Sequence, residues 1–154
     1  MERRLKFLVS LLTVFLLSLI PRWSTAAEHP GTSVVEHPGK AISADFVKKA
    51  IRDHVKAEEK ANGGFFVLPD PELNKTWRLK LAKIHDPVRT FKKDDQAIYF
   101  ACSDFKSADG KDVLDIDFWM VPDGKKMKVI DTKIHKLNGK PRFAYEGIEA
   151  KPIK

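Results

Sequence analysis

Cysteine is almost absent from this chain, and its scarcity limits both how the fold is stabilised and what chemistry it can support. Cys102 is the single cysteine among 154 residues, so no disulfide can form within one copy of the chain. The sequence also has no glycine-rich phosphate loop, no His-Glu-x-x-His helix and no Cys-x-x-Cys pair, the signatures of nucleotide-binding, zinc-protease and thiol-redox sites. We therefore expect a domain that is stabilised by its hydrophobic core and that is not an enzyme.

A long apolar run occurs only at the N-terminus, from Phe7 to Ile20. Its fourteen residues would form a helix about 21 Å long, shorter than the roughly 30 Å hydrocarbon core of a bilayer. Basic residues precede the run at positions 3, 4 and 6, and small residues follow it at 24–26. This pattern predicts a secretory signal peptide over residues 1–26, cleaved after Ala26 or Ala27. The protein is then periplasmic or secreted and has no membrane contact after cleavage; an uncleaved anchor is the alternative.

Charge of one sign is not in large excess once this segment is removed. The remaining chain has 24 basic and 20 acidic residues, a net charge of +4. That value is too small to indicate a nucleic-acid partner, and export argues against one as well. We expect a small ligand or a protein partner, whose identity the sequence leaves open together with the oligomeric state.

Residues 27–42 contain little that could pack, and they include a short repeat. Glu28-His29-Pro30-Gly31 recurs eight residues later as Glu36-His37-Pro38-Gly39. The prolines and glycines predict a flexible arm. Imidazole and carboxylate groups suit copper or zinc, so His29 and His37 are candidate metal ligands. The alternative is a low-complexity linker that binds nothing.

Residues 43–150 are expected to form a single α+β domain that begins with a helix from Ser43 to Ala61. Ser43 suits the N-cap, and Asn62-Gly63-Gly64 supplies a left-handed stop. Apolar side chains recur with helical spacing on one face, which should pack inward: Phe46, Val47, Ala50, Ile51 and Val55. Two strands should follow, at 65–68 and 77–84, with a bulge near Lys83 where the apolar alternation changes phase.

Residues 97–145 read as an antiparallel meander of four apolar-alternating runs joined by three turns. The turns are predicted at Asp109-Gly110, at a three-residue loop Asp123-Gly124-Lys125, and at Asn138-Gly139. The cross-strand pairs that these turns imply are Phe105–Leu114, Ser103–Ile116, Ala101–Phe118 and Tyr99–Met120, then Phe118–Ile130, Ile116–Thr132 and Leu114–Ile134, and finally Ile134–Phe143 and Thr132–Tyr145. Together they give one continuous apolar face, on which the helix should pack.

One amphipathic helix on a curved antiparallel meander resembles the cystatin-like and NTF2-like rolls. The resemblance is architectural and implies a fold, not an activity. The Gln-x-Val-x-Gly loop and the Pro-Trp hairpin typical of cystatin protease inhibitors are absent, so protease inhibition is not implied.

The opposite face of the meander is where chemistry is expected. It carries the candidate ligand or partner surface: Phe100, Cys102, Asp104, Asp115, Asp117, Trp119, Asp131 and Lys133. The predicted register sets Asp104 against Asp115 and Asp117 against Asp131, two like-charge pairs that are unfavourable on a sheet unless cations offset them. If the preceding strand pairs through the turn at 92–95, His85 reaches Cys102.

The sequence allows three interpretations of this face. It is a solvated face, or a ligand and partner surface, or a copper or zinc site. The metal ligands would come from His29, His37, His85, Cys102 and His135. A Cys102–His85 nucleophile is a weaker interpretation than a structural thiol, because no oxyanion-stabilising group is evident. The sequence thus predicts an exported, non-enzymatic binding or interaction module of unknown ligand, with a periplasmic copper- or zinc-binding protein as the alternative.

Overall fold

The computed structural model describes residues 42–153. The predicted signal peptide, residues 27–41 of the predicted arm, and the candidate ligands His29 and His37 lie outside these residues. Within them, one helix packs against a strongly curled antiparallel sheet that forms a half-barrel. The α+β class predicted from the sequence is therefore confirmed.

Helix α1 spans Ala44–Ala61 and precedes every strand of the described chain. The Ser43 side chain accepts a hydrogen bond from the backbone N–H of Phe46 at 3.2 Å, as an N-cap residue does. The buried side chains of the helix are Val47, Ile51 and Val55. Phe46 was expected to face inward, but it is 37 % exposed because it lies at the margin of this face, one turn before Ala50.

The helix ends at Ala61, and its C-cap residue Asn62 has a backbone φ of −117°, so Asn62 is not left-handed. Gly63 and Gly64 have φ values of 63° and 87°, and they supply the left-handed stop. Of the two residue types that the sequence offered for this stop, glycine is the one that the chain uses.

Seven strands form the main sheet, in the order β1-β2-β4-β5-β6-β7, with β3 alongside β4. The strands of this sheet are β1 Phe66–Asp70, β2 Lys75–Ile84, β3 Arg89–Lys93, β4 Gln96–Ser107, β5 Val113–Asp123, β6 Lys126–Leu137 and β7 Lys140–Pro141. A 3₁₀ turn, Pro71–Leu73, joins β1 to β2. A separate hairpin is formed by β8 Phe143–Glu146 and β9 Glu149–Pro152. The bulge expected near Lys83 is present in β2, where the register against β4 shifts between Leu81 and Lys83.

The first hairpin of the meander has the predicted register. Phe105 lies opposite Leu114, and Ala101 lies opposite Phe118. The predicted pairs Ser103–Ile116 and Tyr99–Met120 are also present. Asp104 lies opposite Asp115, so the first of the two predicted like-charge pairs is real.

The register predicted for the second hairpin is wrong. Asp123 pairs with Lys126, so the loop has two residues, and the register then shifts twice along β6. The first shift passes over Ile130, which is 49 % exposed, and the second passes over His135. Each bulge adds one residue to β6, so that Ile134, rather than Thr132, lies opposite Ile116 on the buried face.

The third turn forms at 138–139 as predicted, but the pairing beyond it stops at Pro141. One further backbone hydrogen bond, from the Arg142 N–H to the His135 carbonyl at 2.8 Å, follows before the two segments separate. The next residue, Arg142, directs its guanidinium to Asp70 at the end of β1, with N–O distances of 2.8 and 2.7 Å. The expected pairs Ile134–Phe143 and Thr132–Tyr145 are therefore wrong, because β8 has left the sheet.

Two hydrophobic cores result, one on each face of the sheet. The first is the predicted one, between the helix and the face that bears Phe105, Ile116 and Phe118. The second lies on the opposite face and consists of Phe91, Ile98, Phe100, Cys102, Trp119, Val121 and Tyr145. Since β8 brings Tyr145 onto this face, the interpretation of the whole face as solvated is wrong.

Candidate functional site

A group of polar side chains is buried at the edge of the second core, and we call it the Cys102–Asp117 cluster: Cys102, Asp117, His135 and Tyr145. Cys102 on β4 and Asp117 on β5 are direct cross-strand partners, and the thiol donates a hydrogen bond to Asp117 Oδ1 at 2.8 Å. The Tyr145 hydroxyl, on β8, donates to Asp117 Oδ2 at 2.7 Å. The Asp117 and His135 side chains are both fully buried.

His135 reaches the cluster because it occupies the second bulge of β6. Its Nδ1 lies 3.6 Å from Asp117 Oδ2, and its ring stacks on Phe143 with centroids 4.9 Å apart. His135 and Arg142 are neighbours through the backbone, where the Arg142 N–H donates to the His135 carbonyl at 2.8 Å. Their side chains point apart, because the Arg142 guanidinium binds Asp70.

Burial dominates the electrostatics of the cluster. The pKa of the Asp117 carboxyl is raised from 3.8 to about 7, mainly because the group is removed from water and in smaller part because Asp115 is nearby. The hydrogen bonds from Cys102 and Tyr145 act in the opposite direction but are weaker. Burial, and then the Asp117 charge, raise the pKa of the Cys102 thiol and of the Tyr145 hydroxyl. At neutral pH the thiol and the phenol are protonated, and Asp117 is close to its titration midpoint.

A cleft of about 340 Å³ opens from solvent onto Cys102, and we call it the Cys102 cleft. It is lined by His85, Asp86, Cys102, Asp104, Val113, Asp115, Lys136 and Gly139. The like-charge pair Asp104–Asp115 lies in its wall, and two basic side chains lie beside that pair. His85 Nε2 is 2.9 Å from Asp104 Oδ2, and Lys136 is the cross-strand partner of Asp115.

His85 therefore has a different position from the one expected for a nucleophile's base. Its backbone N–H donates to the Cys102 carbonyl at 2.9 Å, so the backbones of His85 and Cys102 are adjacent in space. Its ring, however, turns to Asp104. Along the sheet, Lys83 lies opposite Asp104 and Lys133 lies opposite Asp117, while His85 and Lys136 line the cleft beside the Asp104–Asp115 pair.

Three of the cluster and cleft residues have ligand atoms close enough to share a metal ion. One atom each from Cys102, Asp115 and Asp117 lies within 4.8 Å of the other two. A thiolate and two carboxylates form a donor set that suits zinc or copper. The three atoms come from neighbouring strands, β4 and β5, which hold them together without a loop.

The other residues predicted for this face lie outside both the Cys102–Asp117 cluster and the Cys102 cleft. Phe100 and Trp119 are cross-strand partners with ring centroids 4.7 Å apart, but both are buried in the second core beneath Phe91 and Tyr145. Asp131 pairs with Trp119 along the sheet, not with Asp117, and its carboxylate binds Lys133 near the surface. The second predicted like-charge pair, Asp117–Asp131, is thus wrong.

Sequence reasoning missed a second buried carboxylate, Asp70. The Trp77 indole N–H donates to it at 2.7 Å, and Arg142 holds both of its oxygens. Arg142 is the main reason that the pKa of Asp70 is lowered to about 2. This ion pair joins β1 at one edge of the half-barrel to the segment that follows β7 at the other, and no local sequence signal points to it.

Comparisons with family models, with curated proteins and with solved structures find no match to this chain. Among residues 42–153, no helix has the length and apolar character needed to cross a membrane.

Proposed function

We propose that this protein is an exported, non-enzymatic binding module and that the Cys102 cleft is its binding site. Export rests on the signal peptide predicted from the sequence. The observation that carries the choice of site is the position of the cleft, which reaches the thiol of Cys102, and that thiol is hydrogen-bonded to the buried carboxyl of Asp117. A small number of polar groups that converge in a concave opening is typical of small-ligand sites.

The state of the thiol supports a binding role rather than nucleophilic catalysis. Catalytic cysteines have a lowered pKa that populates the thiolate at neutral pH. Burial and the Asp117 carboxyl raise the pKa of Cys102 instead. The thiol donates its proton in a hydrogen bond to Asp117. The imidazole that lines the cleft, His85, contacts Asp104 and not the thiol.

Thiol reactivity tests the non-enzymatic proposal. We expect iodoacetamide at pH 7.5 to alkylate Cys102 in the folded protein at least about 100-fold more slowly than in the same protein unfolded in urea. Asp117→Asn, which removes the charge that opposes thiolate formation, should raise the folded rate, whereas Asp131→Asn should leave it unchanged. A folded wild-type protein that reacts as fast as the unfolded chain would contradict the proposal.

A copper- or zinc-binding protein is the second candidate, and a specific observation favours it. The ligand atoms of Cys102, Asp115 and Asp117 already lie within 4.8 Å of one another, and two of these residues, Cys102 and Asp115, line the cleft. Binding would displace the thiol proton and, where Asp117 is protonated, its carboxyl proton, so affinity should increase with pH. His85, at the rim, is close enough in the fold to orient Asp104 beside the site.

Isothermal titration of the purified protein with zinc and with copper tests this candidate. A bound ion should give a dissociation constant below about 10 μM, and Cys102→Ser and Asp115→Asn should each weaken binding. Asp131→Asn is the matched control, because that carboxylate lies away from the cleft. Replacing His29 and His37 together separates binding by the predicted arm from binding by the cluster. The absence of binding tighter than about 10 μM in the wild-type protein would exclude the candidate.

We also propose that the fold belongs to the cystatin-like or NTF2-like rolls. The curled sheet, the helix that contacts both β1 and β6, and the bulge in β2 support this finer assignment. An experimentally determined structure tests it: a helix outside the concave side of the sheet would be incompatible with either roll.

A further inference from the structure

We propose that a second opening, separate from the Cys102 cleft, binds a free single-chain amphiphile with an anionic head group. This opening lies between α1 and the β5–β6 hairpin, and we call it the helix–hairpin groove. Its volume is about 560 Å³, within the range of small-molecule sites. Its walls are the outer side of α1 and the lysine-rich start of β6.

The floor of the groove is apolar and continuous with the first core. Ala50 on the helix and Met127 and Val129 on β6 are half-buried and pack against that core. Phe46 is exposed at the groove wall, where the sequence pattern had placed it inside. An alkyl chain in this groove would cover apolar surface that is otherwise in contact with water.

His54 lies at the base of the groove and does not add charge to it. Its ring contacts the rings of Phe66 and Phe118 edge to face, with centroids 6.1 and 6.3 Å away. Burial lowers the pKa of His54, so the imidazole is neutral at pH 7. The base of the groove therefore suits the apolar part of a ligand.

The rim has an excess of positive charge. Lys125, Lys126 and Lys128 are exposed, and within residues 42–153 none of them forms an ion pair. The two acids of the groove do not balance them in full: Asp53 binds Lys49 at 2.5 Å, and Asp123 lies across the hairpin from Lys126. Neighbouring like charges of this kind favour an anionic head group.

Addition of a protein strand to the exposed edge of β6 fits the groove less well. The bulge at Ile130 interrupts the regular spacing of backbone donors and acceptors along β6. Lysines on an edge strand and bulges within it are features that protect edges against pairing. An alkyl chain needs no backbone ladder, so the bulge does not oppose it.

Isothermal titration with decanoate, with decyltrimethylammonium and with hexanoate tests the proposal. We expect decanoate to bind in a saturable 1:1 reaction, hexanoate to bind more weakly because it covers less of the apolar floor, and the cationic amphiphile of equal chain length not to bind. Equal binding of the two decyl compounds, or no binding of decanoate at millimolar concentration, would overturn the proposal.

Matched variants locate the binding. Replacing Lys125, Lys126 and Lys128 together by Gln should weaken decanoate binding about tenfold or more, because two or three head-group attractions are lost. The control replaces three other lysines that form no ion pair in the described chain, Lys83, Lys106 and Lys140, and it removes the same charge without an effect on binding. Loss of affinity in both triple variants would mean that overall charge, rather than the groove, binds the anion.

The tail and the source of the ligand need two further measurements. Phe46→Ser should weaken decanoate binding, whereas Leu73→Ser, at another exposed apolar residue, should not. All these positions are exposed, and circular dichroism checks that each variant is folded. Flotation with phosphatidylglycerol vesicles distinguishes a free amphiphile from a membrane surface as the source of the anionic head group. Binding to vesicles without binding of free decanoate would mean that the groove contacts a membrane, and it would overturn the proposal.

Discussion

Replacing Asp117 by asparagine should remove a dependence of stability on pH that is unusual for a carboxylic acid. The pKa of Asp117 is about 7 in the folded protein and 3.8 in the unfolded chain, so the folded state binds the proton more tightly. The stabilisation that this proton supplies is complete below pH 3.8 and is lost as the pH increases through 7. Most acids in proteins behave in the opposite way, because their folded pKa values are lowered.

The magnitude follows from the two pKa values. Between pH 5 and 7 the free energy of unfolding falls by about 1.4 kcal/mol for each pH unit, and above pH 7 the decrease levels off. From pH 5 to pH 8 the loss is therefore about 2 to 3 kcal/mol. No discount for solvent screening applies, since the Asp117 side chain has no exposed surface.

Urea unfolding followed by tryptophan fluorescence at pH 5 and at pH 8 measures this effect. Asparagine has nearly the same shape, and at pH 5 the variant should be less stable by about 1 kcal/mol because one of two buried hydrogen bonds to the side chain is altered. At pH 8 the order should reverse, because only the wild-type protein then buries a charge. His54 titrates with the opposite sign in the same range, but it is present in both proteins and cancels in their difference.

Asp104→Asn is the matched control for this prediction, because Asp104 is a half-exposed acid on the same sheet face and pairs with His85. Its substitution should leave the difference between pH 5 and pH 8 close to that of the wild-type protein. If Asp117→Asn and the wild-type protein lose the same stability between pH 5 and pH 8, the reasoning from burial is wrong.

Three further substitutions test other parts of the fold. Asp70→Asn should lower the free energy of unfolding by on the order of 3 kcal/mol, because it leaves the guanidinium of Arg142 without its buried partner. It should also remove the loss of stability that the wild-type protein shows as the pH falls through the range from 3.8 to about 2. Urea titration across pH measures both effects. Ser43→Ala should lower the thermal unfolding midpoint by an amount equivalent to about 1 kcal/mol, because it removes the N-cap acceptor for Phe46, and Ser43→Asp should restore it. Ile130→Thr should change the free energy of unfolding by less than about 0.5 kcal/mol, since the side chain is exposed in a bulge, whereas a loss of 2 kcal/mol or more would favour the register in which Ile130 faces Phe118.

The parts of the fold that the sequence predicted are those that local chemistry determines. Asp109-Gly110 requires a tight turn, and the alternation on both sides of it fixes which residues face each other. The helix was predicted from its apolar spacing and its N-cap. In each case the determining residues are within a few positions of the structure that they determine.

The second hairpin was mispredicted because its bulges have no local signature. A shift of one residue reverses the face of every side chain that follows, and the choice is made by packing against the opposite strand. The bulges at Ile130 and His135 let Ile134 reach the core and turn His135 towards Asp117. Neither residue type, nor its neighbours, indicates that preference in advance.

The candidate site was located by residue type, but its burial was not predicted. Cys102, Asp115 and Asp117 were identified because charged residues and a thiol are unusual on one sheet face. Their cover depends on the departure of β8 from the sheet, and this departure coincides with the ion pair between Arg142 and Asp70, 72 residues earlier in the chain. A contact of that sequence separation leaves no periodic pattern, so Tyr145 was assigned to the wrong face.

The separation of the β8–β9 hairpin from the main sheet has a consequence for the fate of the thiol. The hairpin forms a two-stranded sheet of its own, and it carries Tyr145, which packs in the same core as Cys102. Local opening of this one hairpin, with the helix and the main sheet intact, would therefore expose Cys102 to oxidation or to reaction with another protein. The slow alkylation of Cys102 in the folded protein should then change little with urea at concentrations well below the global unfolding transition.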